Sequence, residues 1–162
     1  MLTDPPTTDE LEAFTDAYVA AALWSSTDYP PGTNRATELG PDGEYAAPIP
    51  LDNYDGDLSP DALDTMRDDA SDFLTPEVVA LIRVSQGDRS RFGAPSGLSF
   101  GWTFEQAGHD FWLTRNGHGT GFWDRTYAND VSAMIGDELA DQARSYGEVD
   151  LYIGDDGAIH HA

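Results

Sequence analysis

The sequence predicts an α+β fold: a mostly antiparallel sheet of about four to five strands, with about four helices packed mainly on one face. Three observations lead there. Apolar residues recur at helical spacing through much of the first half and again after residue 129. They alternate at strand spacing in Leu98–Phe104 and Val149–Ile153. Between two aromatic runs stands Asn116-Gly117, the strongest short-range hairpin signal a sequence offers. At 162 residues the chain has the length of one domain, 1–162, carrying a long irregular connection at about 27–57.

The first helix is expected over Asp9–Ser25. Thr7 and Glu10 have capping-box spacing, and Leu11, Phe14, Tyr18, Ala21 and Ala22 share a face. The connection that follows is punctuated by Tyr29-Pro30-Pro31-Gly32, Gly40-Pro41-Asp42-Gly43 and Pro48-Ile49-Pro50. Ser59-Pro60-Asp61 then reads as an N-cap followed by proline at the first helical position, opening a helix that buries Leu63, Met66, Ala70 and Phe73. Thr75-Pro76-Glu77 repeats that signal for a third helix, with Val78, Val79, Leu81 and Ile82, ending by Gly87. A fourth, from Asn129 or Asp130, buries Val131, Met134, Ile135, Leu139 and Ala143. Strands are expected at Leu98–Phe104, on both sides of Asn116-Gly117, at Val149–Ile153 and at Ala158–His160 after the turn at Asp155-Asp156-Gly157.

Charge limits the function classes. The formal net charge is -22, with no lysine and no cysteine. Disulfides and thiolate metal sites are therefore excluded. Residues 1–77 hold 18 acids against two arginines, residues 78–129 four against five, and residues 130–162 eight against one. Such a chain repels phosphates and anionic lipid, so direct nucleic-acid or membrane-surface binding is not expected. No apolar run approaches the roughly 18–20 residues of a membrane span, and the N-terminus lacks the basic start of a signal peptide. A soluble intracellular protein is expected. The acidity has three readings: solubility or adaptation to salt, divalent-cation binding, and mimicry of a nucleic acid. Mimicry rests on Asp61, Asp64, Asp68 and Asp72, which fall on one helix face about 5–6 Å apart, near the spacing of phosphates along a strand.

A hairpin centred on Asn116-Gly117 would have one of two registers, a two-residue loop or a loop from Asn116 to Gly119. Both give the same side-chain parity. One face carries His109, Phe111, Leu113, Arg115, Thr120, Phe122 and Asp124; the other carries Asp110, Trp112, Thr114, Gly121, Trp123 and Arg125. The Phe/Leu face suits packing against helices. The Trp face is either a binding platform or a surface covered by the long connection. Candidate binding residues are His109, Asp110, Trp112, Arg115, Asn116, His118, Trp123, Asp124 and Arg125. A His–Asp pair near an arginine would suit hydrolysis, but no Gly-x-Ser-x-Gly, P-loop or cysteine supplies a nucleophile or phosphate cradle, so no catalytic residue is assigned. His109 and His118 lie too far apart on such strands to share an ion. Asp52–Asp57 and Asp155–Gly157 do not fit calcium-loop spacing and read as turns. No metal and no cofactor are expected.

The run Gly108-His109-Asp110-Phe111-Trp112-Leu113-Thr114-Arg115-Asn116-Gly117-His118-Gly119, continued by Gly121-Phe122-Trp123-Asp124-Arg125, resembles the motif of a family of small uncharacterised proteins from tailed bacteriophages. The resemblance extends to the N-terminal helix, to Leu58-Ser59-Pro60-Asp61 and to Leu151–Gly157. It carries no catalytic assignment. It implies a phage accessory protein acting in the host cytoplasm. The leading expectation is that such a protein works without catalysis, by binding a host or phage protein. Combined with the acidity, its most specific form is a nucleic-acid-mimicking inhibitor of a host protein. The alternative is a small-molecule or nucleotide-binding protein, hydrolases included, that uses the aromatic His/Arg hairpin.

Overall fold

The computed structural model describes residues 4–31, 47–91, 102–119, 121–123 and 130–162. Among them are five α-helices: α1 (Thr8–Ser25), α2 (Pro60–Phe73), α3 (Pro76–Arg91), α4 (Phe104–Arg115) and α5 (Asp130–Arg144). The strands are short: β1 (Thr27–Asp28), β2 (Ile49–Pro50), β3 (Leu151–Ile153) and β4 (Ile159–His161). They form two antiparallel pairs, β1 with β2 and β3 with β4. The expected four-to-five-stranded sheet is therefore wrong: the described residues are mainly helical, with two small ribbons. None of the described helices is long and apolar enough to cross a membrane.

The error lies in the centre of the chain. Of the expected strand Leu98–Phe104, residues 98–101 fall outside the described residues, Trp102 and Thr103 belong to no strand, and Phe104 opens α4. The first arm of the expected hairpin is α4 itself. Phe104, Ala107, Gly108, Phe111, Trp112 and Arg115 are all buried, and their spacing of three and four residues is helical. Both ends of α4 carry stop signals. Thr103 Oγ1 accepts from the Gln106 N–H at 3.0 Å while Gln106 Oε1 accepts from the Thr103 N–H, a complete capping box. At the other end Gly117 takes φ +69, its N–H reaches Thr114 O at 3.2 Å, and the His118 N–H reaches Leu113 O at 2.8 Å. Those two bonds define a Schellman cap. Asn-Gly thus ends a helix instead of turning a hairpin, because both geometries need the same positive φ.

The remaining helices start where the sequence places them. Thr7 and Glu10 exchange capping bonds at 2.8 and 3.1 Å, Ser59 Oγ accepts from Ala62 N–H, and Thr75 Oγ1 accepts from Val78 N–H. Two details differ. α3 continues past Gly87 to Arg91, and Met134, expected in the core, is 70% exposed.

By contact density the chain divides into two units, Met1–Ala21 with Met66–Glu148, and Ala22–Thr65 with Val149–Ala162. The first holds an aromatic core. Phe111 stacks on Phe73 at 4.2 Å between ring centroids and on Tyr18 at 4.9 Å, and meets Phe14 at 5.8 Å and the edge of Tyr146 at 5.1 Å. Pairs of this kind add about 0.5–1.5 kcal/mol each beyond buried area. In the second unit Leu151, Ile153 and Ile159 point inward, while Tyr152 and His160 stack across the other face of the β3–β4 ribbon. Asp28 Oδ2 accepts from Ile153 N–H at 2.8 Å, and Tyr54 OH donates to Gly157 O at 2.7 Å.

Candidate functional site

Two groups of residues claim attention in the first unit: the polar residues of α4, and the acids Glu12, Asp16, Asp68 and Asp72 of α1 and of α2 from Met66 onward. On α4 every polar side chain of the motif has a structural partner. Asp110 is fully buried; its Oδ2 accepts from the Trp102 indole N–H at 2.8 Å and its Oδ1 lies 3.1 Å from His109 Nδ1. Thr114 Oγ1 accepts from the Phe122 N–H at 2.9 Å, holding the segment after the helix against it.

Arg115 is the centre of this network, with a relative exposure of 5%. Nη1 donates to Tyr18 OH at 2.9 Å and to Asp69 Oδ2 at 2.8 Å, Nε to Gly147 O at 2.9 Å, and Nη2 to Tyr146 O at 3.1 Å. Four of the five N–H groups of a guanidinium are thereby used. The cation also lies over the rings of Phe111 and Tyr146, at 5.6 and 5.5 Å. One side chain therefore links α1, α2, α4 and the turn after α5. Burial pushes the Tyr18 hydroxyl up to about 12, against the opposing pull of Arg115. Tyr146 is also raised, first by burial and then by its 2.6 Å hydrogen bond to the Asp72 carboxylate.

This geometry disposes of most of the expected platform. Asp110, Trp112 and Arg115 lie in the core, and Asn116 is the half-buried C-cap of α4, its Nδ2 donating to Trp112 O at 3.0 Å. His118 is exposed just beyond the cap, His109 is partly exposed within the helix, and Trp123 is 44% exposed. Asp124 and Arg125 lie outside the described residues. The two-faced ribbon that would have sorted these side chains does not form, since a helix sends them around its axis. Among the described residues no three His, Asp or Glu side chains converge to hold a metal ion. Asp156, in one of the two acidic turns, instead accepts from Ala158 N–H and pairs with His160 at 2.8 Å, which holds its carboxyl below the usual range.

The acidic helix positions behave differently. Asp61, Asp64, Asp68 and Asp72 are all exposed on α2. In the first unit an open groove of about 430 Å³ runs between α1 and α2, lined by Leu11, Glu12, Thr15, Asp16, Arg67 and Asp68 among others. Glu12 and Asp16 thus join Asp68 around one depression. These α1 acids were visible in the sequence only as the outer side of an amphipathic helix; nothing there pairs them with α2. Asp69, one position off the stripe, turns inward to Arg115.

Comparison with protein-family models, with curated proteins and with solved structures gave no match.

Proposed function

We propose that this chain works by binding a macromolecule and not by catalysis, and that its working surface is the acidic exterior of α1 and α2. One observation carries the reading: the motif's Arg115, Asp110 and Trp112 are consumed in the core, whereas Glu12, Asp16 and Asp68 remain exposed around one groove. A carboxylate-lined surface attracts cations and repels phosphates, so the partner is a basic protein face. In its most specific form the chain is an acidic inhibitor that occupies the nucleic-acid-binding surface of a host protein. The resemblance of the Gly108–Arg125 run to tailed-phage proteins supports a phage accessory role in the host cytoplasm. Against the small-molecule alternative, a ligand held by Arg115 would have to displace the bonds it makes to Asp69, Tyr18 and two carbonyls.

The test is retention of a host protein on immobilised chain, followed by challenge with duplex DNA and with salt. Release by both is expected, since screening weakens attraction between exposed charges. Retention indifferent to both would remove the mimicry reading.

A further inference from the structure

Asn116-Gly117 is the only asparagine–glycine pair in the chain; Asn34, Asn53 and Asn129 precede Arg35, Tyr54 and Asp130. Glycine after asparagine leaves the following backbone nitrogen unhindered, so the chemistry open to this pair is cyclisation. The Gly117 nitrogen attacks Asn116 Cγ, a Cγ–N bond forms, and the Cγ–Nδ2 bond breaks. Nδ2 departs as ammonia, carrying away the proton that Gly117 nitrogen gives up. Solvent water then opens the imide at either carbonyl carbon, giving aspartate or an isoaspartyl link, with no change in oxidation state. Gly117 and His118 are exposed and Asn116 is partly exposed, so water has access.

The folded cap opposes the first step in three ways. Gly117 N–H is engaged with Thr114 O at 3.2 Å, and Asn116 Nδ2 is engaged with Trp112 O at 3.0 Å. Asn116 has ψ 8°, which turns the Gly117 nitrogen roughly a third of a turn away from Cβ about the Cα–C bond. Ring closure needs those two atoms on the same side. We propose that Asn116 is a deamidation site gated by the C-terminal cap of α4, reacting only in the fraction of molecules whose cap has opened. The reaction then holds the cap open. The new carboxylate cannot donate to Trp112 O and places negative charge at a helix C-terminus, and an isoaspartyl link lengthens the backbone through both Schellman bonds. The chain thus carries a slow, one-way loosening of the helix end that holds Arg115, whatever its surface binds.

The experiment incubates the full-length chain at neutral pH and 37 °C, folded in buffer and unfolded in urea, and follows amide-to-acid conversion by peptide mapping with isoaspartate detection. In urea, conversion is expected at Asn116 ahead of the other asparagines, and N116Q should abolish that signal. In buffer the same site should convert at least about tenfold more slowly, because only the locally open population reacts. Equal rates in the two conditions would overturn the gating, and unfolded chain that converts elsewhere first would overturn the site.

Discussion

Arg115 Nη1 lies 2.8 Å from Asp69 Oδ2 inside the first unit, with the guanidinium side chain 3% and the carboxylate 26% exposed. Removing the cation leaves a partly buried carboxylate and the carbonyls of Tyr146 and Gly147 without their donor. R115M should therefore destabilise the fold by about 3–5 kcal/mol, the range for breaking a buried pair at one partner. R115K, which keeps charge but loses the planar fork, should fall between wild type and R115M. Urea unfolding followed by tyrosine and tryptophan fluorescence checks both. A loss for R115M within experimental error of zero would remove Arg115 from the centre of the core.

Gly108 faces α1 so closely that a Cβ there would overlap the carbonyl oxygen of Phe14, a backbone atom that no rotamer change can move. G108A adds helix propensity to α4, yet it should destabilise the protein by about 1–3 kcal/mol, because overpacking outweighs the gain of about 1 kcal/mol. A stabilised G108A would mean that α1 and α4 do not cross at this residue.

Each end of α4 is fixed by one residue, and a substitution there tests its cap. T103A deletes the N-cap acceptor of Gln106 N–H and should lower stability by about 1 kcal/mol. G117A forces a side chain into φ +69 and should lower it by about 1 kcal/mol. Loss of helical far-UV signal near the transition midpoint should accompany both.

These ends also explain what could and could not be read from the chain. Ser59-Pro60 and Thr75-Pro76 were legible as helix starts because proline at the first helical position has few other uses. The β3–β4 ribbon was legible because Leu151, Ile153 and Ile159 alternate around an Asp-Asp-Gly turn. α4 was misread for a definite reason. It is buried almost all round, so Asp110, Leu113 and Thr114 blur the polar face that would announce a helix. Asn-Gly serves a Schellman cap and a hairpin turn equally well. The pattern Phe104, Ala107, Gly108, Phe111, Trp112, Arg115 was present, with Thr103 and Gln106 in front of it. What no sequence pattern contained was the partner of Arg115, since Tyr18, Asp69 and Tyr146 are brought to it only by tertiary packing.

The alkaline limb of stability follows from Tyr18. Its folded value of about 12 exceeds the ordinary tyrosine value near 10, so the folded chain keeps a proton that the unfolded chain releases. The associated stability is fully present below pH about 10 and declines as the pH rises toward 12, by about 2–3 kcal/mol in all. Y18F should flatten that decline, leaving the slope that Tyr146 supplies in the same direction. Denaturant midpoints measured from pH 9 upward test this, and an unchanged slope in Y18F would contradict it.

The central claim is that the acids outside the core, and not the aromatic motif inside it, meet the partner. The most direct measurement is the affinity of the purified host protein retained by the chain, for wild type and for D61N/D64N/D68N/D72N, across a salt series and with duplex DNA as competitor. Asparagine at residue 72 keeps an acceptor for Tyr146 OH, so the fold should survive. The account predicts that the variant binds at least about tenfold more weakly with a shallower salt dependence, and that DNA competes with wild type. Equal affinity for both chains, undisturbed by DNA, would contradict it.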